Sequence, residues 1–396
     1  MAQQRRRGPG PRALLLNNYF ADEHAFHPEK YVHGNIIYKR VTLQYDIERI
    51  VVKHVSFEWG LPRDQEIDSE EDILRRLWGS EHNLRLLSVV DDQHHRGSKW
   101  AEPKKRARQN PPAILPWKLR FNPDDYADPD RNLAFSFLVT EYLSRGEGGD
   151  LLERCKALGM THIPESVLWY FFLCVTRGCI GIAFPPNVGT RNPAAIVRER
   201  FPPRGKRKHS KITHWDLHLG NIMFGDYDVR NIQPPCHEAT PIIDFGNADT
   251  TQSVQDSQYQ NIFQAAELIH QLACLEEEYD DIDDREKTMV HFVPGFPDFL
   301  SYVRQDFIDN DEHYSQEFRG LVSVCMAVRP VDRLLLEPLL RRCEAHVRQI
   351  GNWRDLADEV TRMFDEVPAE DDDAENNGAR DNDVEDDDPE DEEDWP

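Results

Sequence analysis

The chain has no Cys-x-x-Cys pair. Its seven cysteines (Cys155, Cys174, Cys179, Cys236, Cys274, Cys325, Cys343) are scattered and odd in number. That spacing argues against a zinc site and a disulfide framework, and fits free buried thiols in a reducing compartment. Glycine is scarce, 21 in 396 residues, and with 39% hydrophobic and 10% aromatic residues the composition is globular and not fibrous. A secretory core is also missing: after Arg5, Arg6 and Arg7 the apolar run Ala13 to Leu16 is too short for one. An intracellular location, cytoplasmic or nuclear, is therefore expected.

Excess positive charge is lacking as well. Lys plus Arg number 47 against 72 Asp plus Glu, a net of −25. Asp365 to Pro396 holds 18 acidic residues and one basic residue, Arg380, a net of −17, which leaves −8 for the first 364 residues. The acidity is a tail, expected to be disordered, and the body offers no strong case for nucleic-acid binding through a dominant basic face. One apolar run, Ser166 to Phe184, is long enough to suggest a membrane span, but Arg177, Gly178 and Gly181 interrupt it. A charge in the middle costs about 2.5–3.5 kcal/mol on insertion, so a buried core helix and no membrane association are expected.

About 150 residues per domain gives roughly two to three units, or one large two-part fold. Residues 1–17 read as a disordered basic arm. Strand-like runs follow from about Tyr31 to Phe57: HGNIIYKRV, TLQYDI and RIVVKHVSF. Ile73, Leu74, Leu77 and Trp78 form the stripe of a helix capped by Asp68 or Ser69 and stopped at Gly79. Leu84 to Val90 and Leu133 to Leu143 read as strands, and the polar stretch 91–132, with Pro103, Pro111, Pro112 and Pro116 among its prolines, as an insertion. A helix from Asp150, the apolar helix 165–184, and a second, basic and Pro-rich insertion at 185–210 come next. Short strands surround two acidic motifs between Lys211 and Ala248. Helices are then expected at 259–279, 296–309, 316–327, 333–349 and 352–364. The class is α+β with two unlike parts.

The chemistry concentrates in two places. Thr213-His214-Trp215-Asp216-Leu217-His218-Leu219-Gly220-Asn221 contains His-x-Asp-x-x-x-x-Asn, and the apolar run Pro241-Ile242-Ile243 ends in Asp244-Phe245-Gly246. Two carboxylates and an amide can hold a hard divalent cation through oxygen. Phosphoryl transfer needs that cation and one further carboxylate to orient a hydroxyl.

With these motifs the chain resembles the protein-kinase-like superfamily. Val51-Val52-Lys53 looks like the strand with the phosphate-binding lysine, Glu70 like its pairing glutamate with Glu66 and Glu71 as rivals, and Thr140-Glu141-Tyr142-Leu143 like the gatekeeper and adenine hinge. Gly148-Gly149-Asp150-Leu151 and Pro330-Val331-Asp332-Arg333 resemble two later turns, so the match spans about 30–350. The resemblance implies a bilobal fold: a small β-rich N-lobe with one helix, 18–140, containing the insertion 91–132, and a larger, mainly α C-lobe, 141–364, containing the insertion 185–210, before the tail 365–396. It implies ATP and Mg2+ as cofactors. Lys53 would hold the phosphates and Glu70 would position Lys53. Gly34, Glu141 and Leu143 would line the nucleotide. Asp216 would orient the acceptor and take its proton, with His218 close to the transferred group, while Asn221 and Asp244 would hold the metal. His214 is expected to pack against the Asp-Phe-Gly turn.

The chain departs from the family pattern in several ways. Gly34 stands alone where the family usually has three glycines. His218 replaces a lysine usual in Ser/Thr kinases, and His-x-Asp-Leu-His-x-Gly-Asn also resembles small-molecule kinases of the aminoglycoside and choline type. Only residues 247–260 separate Gly246 from Asn261, without an Ala-Pro-Glu. The expected function is transfer from Mg-ATP to a hydroxyl of a protein Ser/Thr. The alternatives are a small-molecule acceptor, or a pseudokinase that binds nucleotide as an interaction module. Trp215 replaces an arginine that would pair with a phosphorylated loop, so Trp215 is expected to pack on Phe245 and activity to be independent of phosphates on Thr250, Thr251, Ser253, Ser257 and Tyr259. The basic runs Lys104–Arg108 and Arg204–Lys208 read as import signals, polyanion contacts or partners of the tail.

Overall fold

The computed structural model describes residues 16–17, 20–21, 26–32, 35–41, 47–54, 64–87, 118–119, 135–186, 197–203, 206–225, 240–251, 253–276, 285–350 and 353–365. Gly34, Cys236, the first basic run, nearly all of the first insertion, residues 187–196 and 204–205 of the second, and the acidic segment after Asp365 lie outside the described residues.

A five-stranded antiparallel sheet comes first. It comprises β1 His27–Val32, β2 Asn35–Val41, β3 Ile47–His54, β4 Lys118–Leu119 and β5 Phe135–Glu141, in the order β1-β2-β3-β5-β4. Alternation sets the buried face: Ile36 and Tyr38 on β2 and Ile50 and Val52 on β3 are buried, while Lys39 is exposed. The reading from Tyr31 onward misses β1, because HPEKYV carries no apolar alternation. It is an exposed edge strand whose register shifts between Pro28 and Lys30, where a proline is tolerated. Leu16 and Asn17, placed by sequence in a disordered arm, belong to the fold: Leu16 is fully buried and Asn17 Oδ1 accepts from the Tyr38 hydroxyl at 2.8 Å. Lys53 sits on an interior strand, facing Asn35 on β2 and Leu138 on β5.

Helix α1, Asp64–Leu77, buries Ile67, Glu70, Ile73, Leu74 and Leu77. This stripe carries one carboxylate, Glu70, amid apolar side chains, and it faces β5 and the turn at 245–247. Gly79 ends the helix at φ 85°, a conformation glycine adopts freely. The strand expected over Leu84–Val90 is absent as far as Leu87. There the chain makes only isolated bridges, Asn83 to Ile242 and Leu86 to Thr140.

The remainder is mainly helical. Helix α2 spans Gly148–Ala157 and α3 Glu165–Ala183. Every residue of α3 from Val167 to Ala183 is buried, packed against α4 Val254–Cys274 and α7 Leu336–Gln349. Its length and hydropathy would suit a membrane, yet protein covers it, and Arg177 within it reaches Glu344 Oε1 at 3.3 Å. Helix α4 begins at Val254, five residues before the expected 259, because the Ser253 hydroxyl accepts from the Gln255 and Asp256 amides at 3.1 and 3.3 Å. Where one helix was expected over 296–309, a short hairpin strand and a short helix stand instead. β8 Thr288–Val290 pairs with β9 Phe299–Ser301, and α5 covers only Gln305–Asp309. Gly295 in the connecting turn has φ 84°. Helix α6, Gln316–Cys325, and α8, Trp353–Asp365, complete a mixed α+β structure.

Gly178 lets α3 lie directly behind the loop that carries Asp244. A Cβ there would stand 2.6 Å from Ile242 Cδ1 and 2.8 Å from the His82 carbonyl oxygen. Alanine favours a helix by about 1 kcal/mol over glycine, but a backbone carbonyl cannot step aside. Gly178→Ala is expected to destabilise the chain by about 1–3 kcal/mol, read as a fall in melting temperature. An unchanged melt would refute the close approach.

Candidate active site

Two short strands bring the acidic motifs together. β6 Ile212–Thr213 pairs with β7 Asp249–Thr250, so the start of the His-x-Asp loop is zipped to the end of the Asp-Phe-Gly turn. Helix α4 anchors this ladder: Asn261 Nδ2 and the Ser257 hydroxyl donate to the Ile212 carbonyl, and Asn261 Oδ1 accepts from the His214 amide at 3.0 Å. His214 is fully buried. Its Nε2–H donates to the Ile243 carbonyl at 2.9 Å, its Nδ1 accepts from the Asp216 amide at 3.3 Å, and its ring lies 4.9 Å from that of Phe245. The imidazole thus ties one motif to the other and carries no free proton-transfer atom. Trp215, expected on Phe245, is exposed, and His214 takes that place.

Burial pushes His214 down to about 4 and His270 down to about 3. Both are neutral in the folded chain, whereas an unfolded histidine charges near 6.5. Their contribution to stability is therefore present above about pH 6.5 and is lost as pH falls through about 4 and then about 3. A melting temperature that declines on acidification from about pH 6.5, with a shallower decline in His270→Gln, is the expected result. An identical profile in that variant would contradict it.

Asp216 and Asn221 share a tight loop. Asn221 Nδ2 donates to the Asp216 carbonyl at 2.7 Å and lies 3.3 Å from Asp216 Oδ2. Asn247 Nδ2 donates to the same Oδ2 at 3.0 Å. His218 Nδ1 accepts from the Gly220 amide at 3.1 Å, and its Nε2 lies 3.1 Å from Asn221 Nδ2 and 3.7 Å from Asp216 Oδ1. Two non-glycine residues in the left-handed region, Trp215 at φ 64° and Asp244 at φ 55°, flank the site. Each such conformation costs about 1–3 kcal/mol and persists where its surroundings enforce it, often at functional sites.

Across the site, Lys53 Nζ lies 2.8 Å from Glu70 Oε2 and 2.6 Å from Asp244 Oδ1. Glu70 is 2% exposed and Lys53 30%. Burial opposes the Lys53 charge, but the two carboxylates outweigh it and hold its pKa above the ordinary lysine value. Burial likewise works against ionised Asp244, and Lys53 outweighs it, so the Asp244 pKa lies below the usual carboxylate value. Glu70 is so enclosed that burial keeps its pKa raised despite Lys53. Of the rival glutamates, Glu71 pairs with Arg75 along α1.

Lys53, Glu70, Asp216, His218, Asn221 and Asp244 thus form one continuous site. Thr140 and Leu143 are buried nearby in the chain leaving β5, while Glu141 is held by Arg85, whose amide donates to Glu141 Oε1 at 2.9 Å. Asp244 Oδ1 is occupied by Lys53 and the Gly246 amide. Asp244 Oδ2 and Asn221 Oδ1 make no hydrogen bond among the described residues, so two oxygens suited to a hard cation remain open. Ser257, one of the five loop hydroxyls named above, is fully buried with its hydroxyl on the Ile212 carbonyl.

Sequence reasoning missed Asn247, which follows Gly246 directly, and Asn261, whose amide spans both motifs. It also missed a buried cluster behind the site. Glu199 accepts from the His82 amide at 2.8 Å, from the Ser80 hydroxyl and from His82 Nδ1 at 2.6 Å. The His82 carbonyl in turn accepts from the Ile242 amide at 3.1 Å, two residues before Asp244. Ligand atoms of Glu81, His82 and Glu199 lie within 4.8 Å of one another. They are already committed, Glu81 to Arg198 and Glu199 to His82, so the cluster reads as a brace and not as an ion site. A scan against protein-family models gives no match to this chain, and a search of curated proteins gives none either.

Proposed function

We propose that the chain is a protein-kinase-like phosphotransferase, with ATP and Mg2+ bound between two lobes and the γ-phosphoryl group passed to a hydroxyl of a protein Ser or Thr. The observation that carries this reading is the bridge made by Lys53 between Glu70 on α1 and Asp244 of the Asp-Phe-Gly turn. Three residues far apart in sequence meet beside a loop that presents another carboxylate and an amide. In this reading Lys53 binds phosphate oxygens and Glu70 fixes its position. Asn221 Oδ1 and Asp244 Oδ2 hold the metal, which would offset negative charge on the nucleotide. Asp216, oriented by Asn247 and Asn221, accepts the acceptor's proton at a carboxylate oxygen, and the exposed His218 ring stands beside it, its Nε2 3.1 Å from Asn221 Nδ2.

Asp216 and His218 are 40% and 54% exposed, so among the described residues the acceptor side is open, as a protein substrate requires. One feature favours a small-molecule acceptor instead: α4 begins at Val254, which leaves only residues 247–253 after Gly246 and little chain for docking a peptide. Labelled ATP with magnesium, scored for transfer to the chain itself, to generic proteins and to a panel of hydroxylated metabolites, separates the two. A ligand at 100 times its dissociation constant adds about 2.7 kcal/mol to the folded state. No melting shift up to millimolar Mg-ATP, and no transfer, would overturn the proposal.

A further inference from the structure

The segment leading into the catalytic loop forms a groove of about 740 Å³ beside the end of α3. Phe184, Phe201 and Pro202 contribute its apolar surface, and Arg200, Lys206 and Arg207 line it too. The rings of Phe184 and Phe201 meet edge to face at 4.9 Å, so the floor is packed and not collapsed. Among the described residues no carboxylate pairs with Arg200, Lys206, Arg207 or the adjacent Lys208. Three lining cations and the adjacent Lys208, without a carboxylate partner among the described residues, beside an apolar floor call for an anionic ligand with one large apolar group.

We propose that this groove binds the chain's own C-terminal segment, with Trp395 on the apolar floor and the acidic run before it against the basic rim. Residues 390–394 are Glu-Asp-Glu-Glu-Asp, and Trp395 is the single aromatic residue after Phe364. Acidic charge and one aromatic ring thus occur together in the last residues of the chain. The reach is adequate. At the root of the tail, the Phe364 ring lies 4.8 Å from that of Phe224, which lies 5.2 Å from that of Phe171 on α3. Phe171 and Phe184 are 13 residues apart along that helix, about 20 Å at a rise of 1.5 Å per residue. The groove is therefore within roughly 30 Å of the root. Thirty residues separate Asp365 from Trp395, and an unordered chain of that length has a root-mean-square span of roughly 30 Å. A linker matched to its span gives an effective concentration on the order of millimolar, enough for a weak site to fill.

The test uses the full chain. A fluorescein-labelled peptide of residues 384–396 is titrated by polarisation into wild type, Trp395→Ala, and Trp395→Ala with Lys206→Glu and Arg207→Glu. The Trp395→Ala chain should bind the peptide at least about tenfold more tightly than wild type, whose groove its own tail fills. Charge reversal should remove that binding, and about 0.5 M salt should weaken it. Equal binding by wild type and Trp395→Ala, or binding that survives charge reversal, overturns the proposal. If the charge-reversed chain does not melt cooperatively, hydrogen exchange over 198–203 decides. Exchange slower in wild type than in Trp395→Ala supports the docking, and equal rates refute it. A wild-type dimer by light scattering that Trp395→Ala converts to monomer would assign the tail to a second copy and overturn docking within one chain. Binding of a single-stranded RNA probe without binding of the peptide would overturn it as well.

Discussion

Asp216→Asn is expected to lower phosphoryl transfer by roughly 10²–10⁴-fold while leaving the melting shift produced by Mg-ATP nearly intact. Asp216 makes no contact with Lys53. Its partners are the Asn247 and Asn221 amides and, at 3.7 Å, the His218 ring. The substitution keeps the side-chain shape and removes the proton-accepting charge. One amide must rotate, since Asn247 now faces a group that can donate, but the site is solvated and the cost is about that of one net hydrogen bond, roughly 1 kcal/mol. In the proposed reading nucleotide is held by Lys53 and Asp244 across the site, so the thermal shift is expected to be kept while turnover falls. Wild-type turnover in the variant would sink the assignment of Asp216 as proton acceptor. Loss of both turnover and thermal shift would assign Asp216 to nucleotide binding instead.

The residues that meet at the site were legible because each sits in a local pattern: Asp216 and Asn221 in one loop, Asp244 at the end of an apolar run, Lys53 in a β-branched run, Glu70 at the start of an amphipathic stretch. Their convergence rests on a register that local patterns do not contain. Asn247 and Asn261 escaped notice because an amide in a turn or a helix has no local signature, and its role appears only when two distant carbonyls need donors. Glu199 and His82 are 117 residues apart; nothing nearby in sequence marks either as buried and paired. The start of α4 is readable in the sequence, since Ser253 stands three residues before Asp256, a capping pattern. The helix expected over 296–309 contains Pro297, and the residues just after it, Phe299–Ser301, pair as a strand instead. The edge strand β1 lacks alternation because its side chains meet water on both faces: His27 to Tyr31 are all exposed and Val32 half-buried.

Lys53→Met should lower stability through Glu70, whatever the acceptor proves to be. Lys53 stands between two carboxylates, 2.8 Å from Glu70 and 2.6 Å from Asp244. Removing one partner of a fully buried pair costs about 3–5 kcal/mol. Lys53 is 30% exposed and Asp244 is 44% exposed, so solvent takes up part of the loss, and about 1–3 kcal/mol is expected, a drop of roughly 1–4 °C for a chain of this size. Glu70 can recover some of it by binding a proton, because burial already raises its carboxyl above the ordinary value of 4.5. Between that value and the raised one, the folded variant holds a proton that the unfolded chain does not, so its stability rises as pH falls through that window toward the ordinary carboxyl value. This slope is opposite in sign to that from His214 and His270, and the difference between variant and wild type isolates it. Adding Glu70→Gln places an uncharged amide in the same pocket and should restore most of the melting temperature and flatten the difference. The Mg-ATP shift should stay lost in the double variant, since no cation remains to meet the phosphates. A single variant as stable as wild type at pH 7, with the same pH profile, would mean that the Lys53–Glu70 pair does not form in solution, and the reading of the site that rests on it would fall.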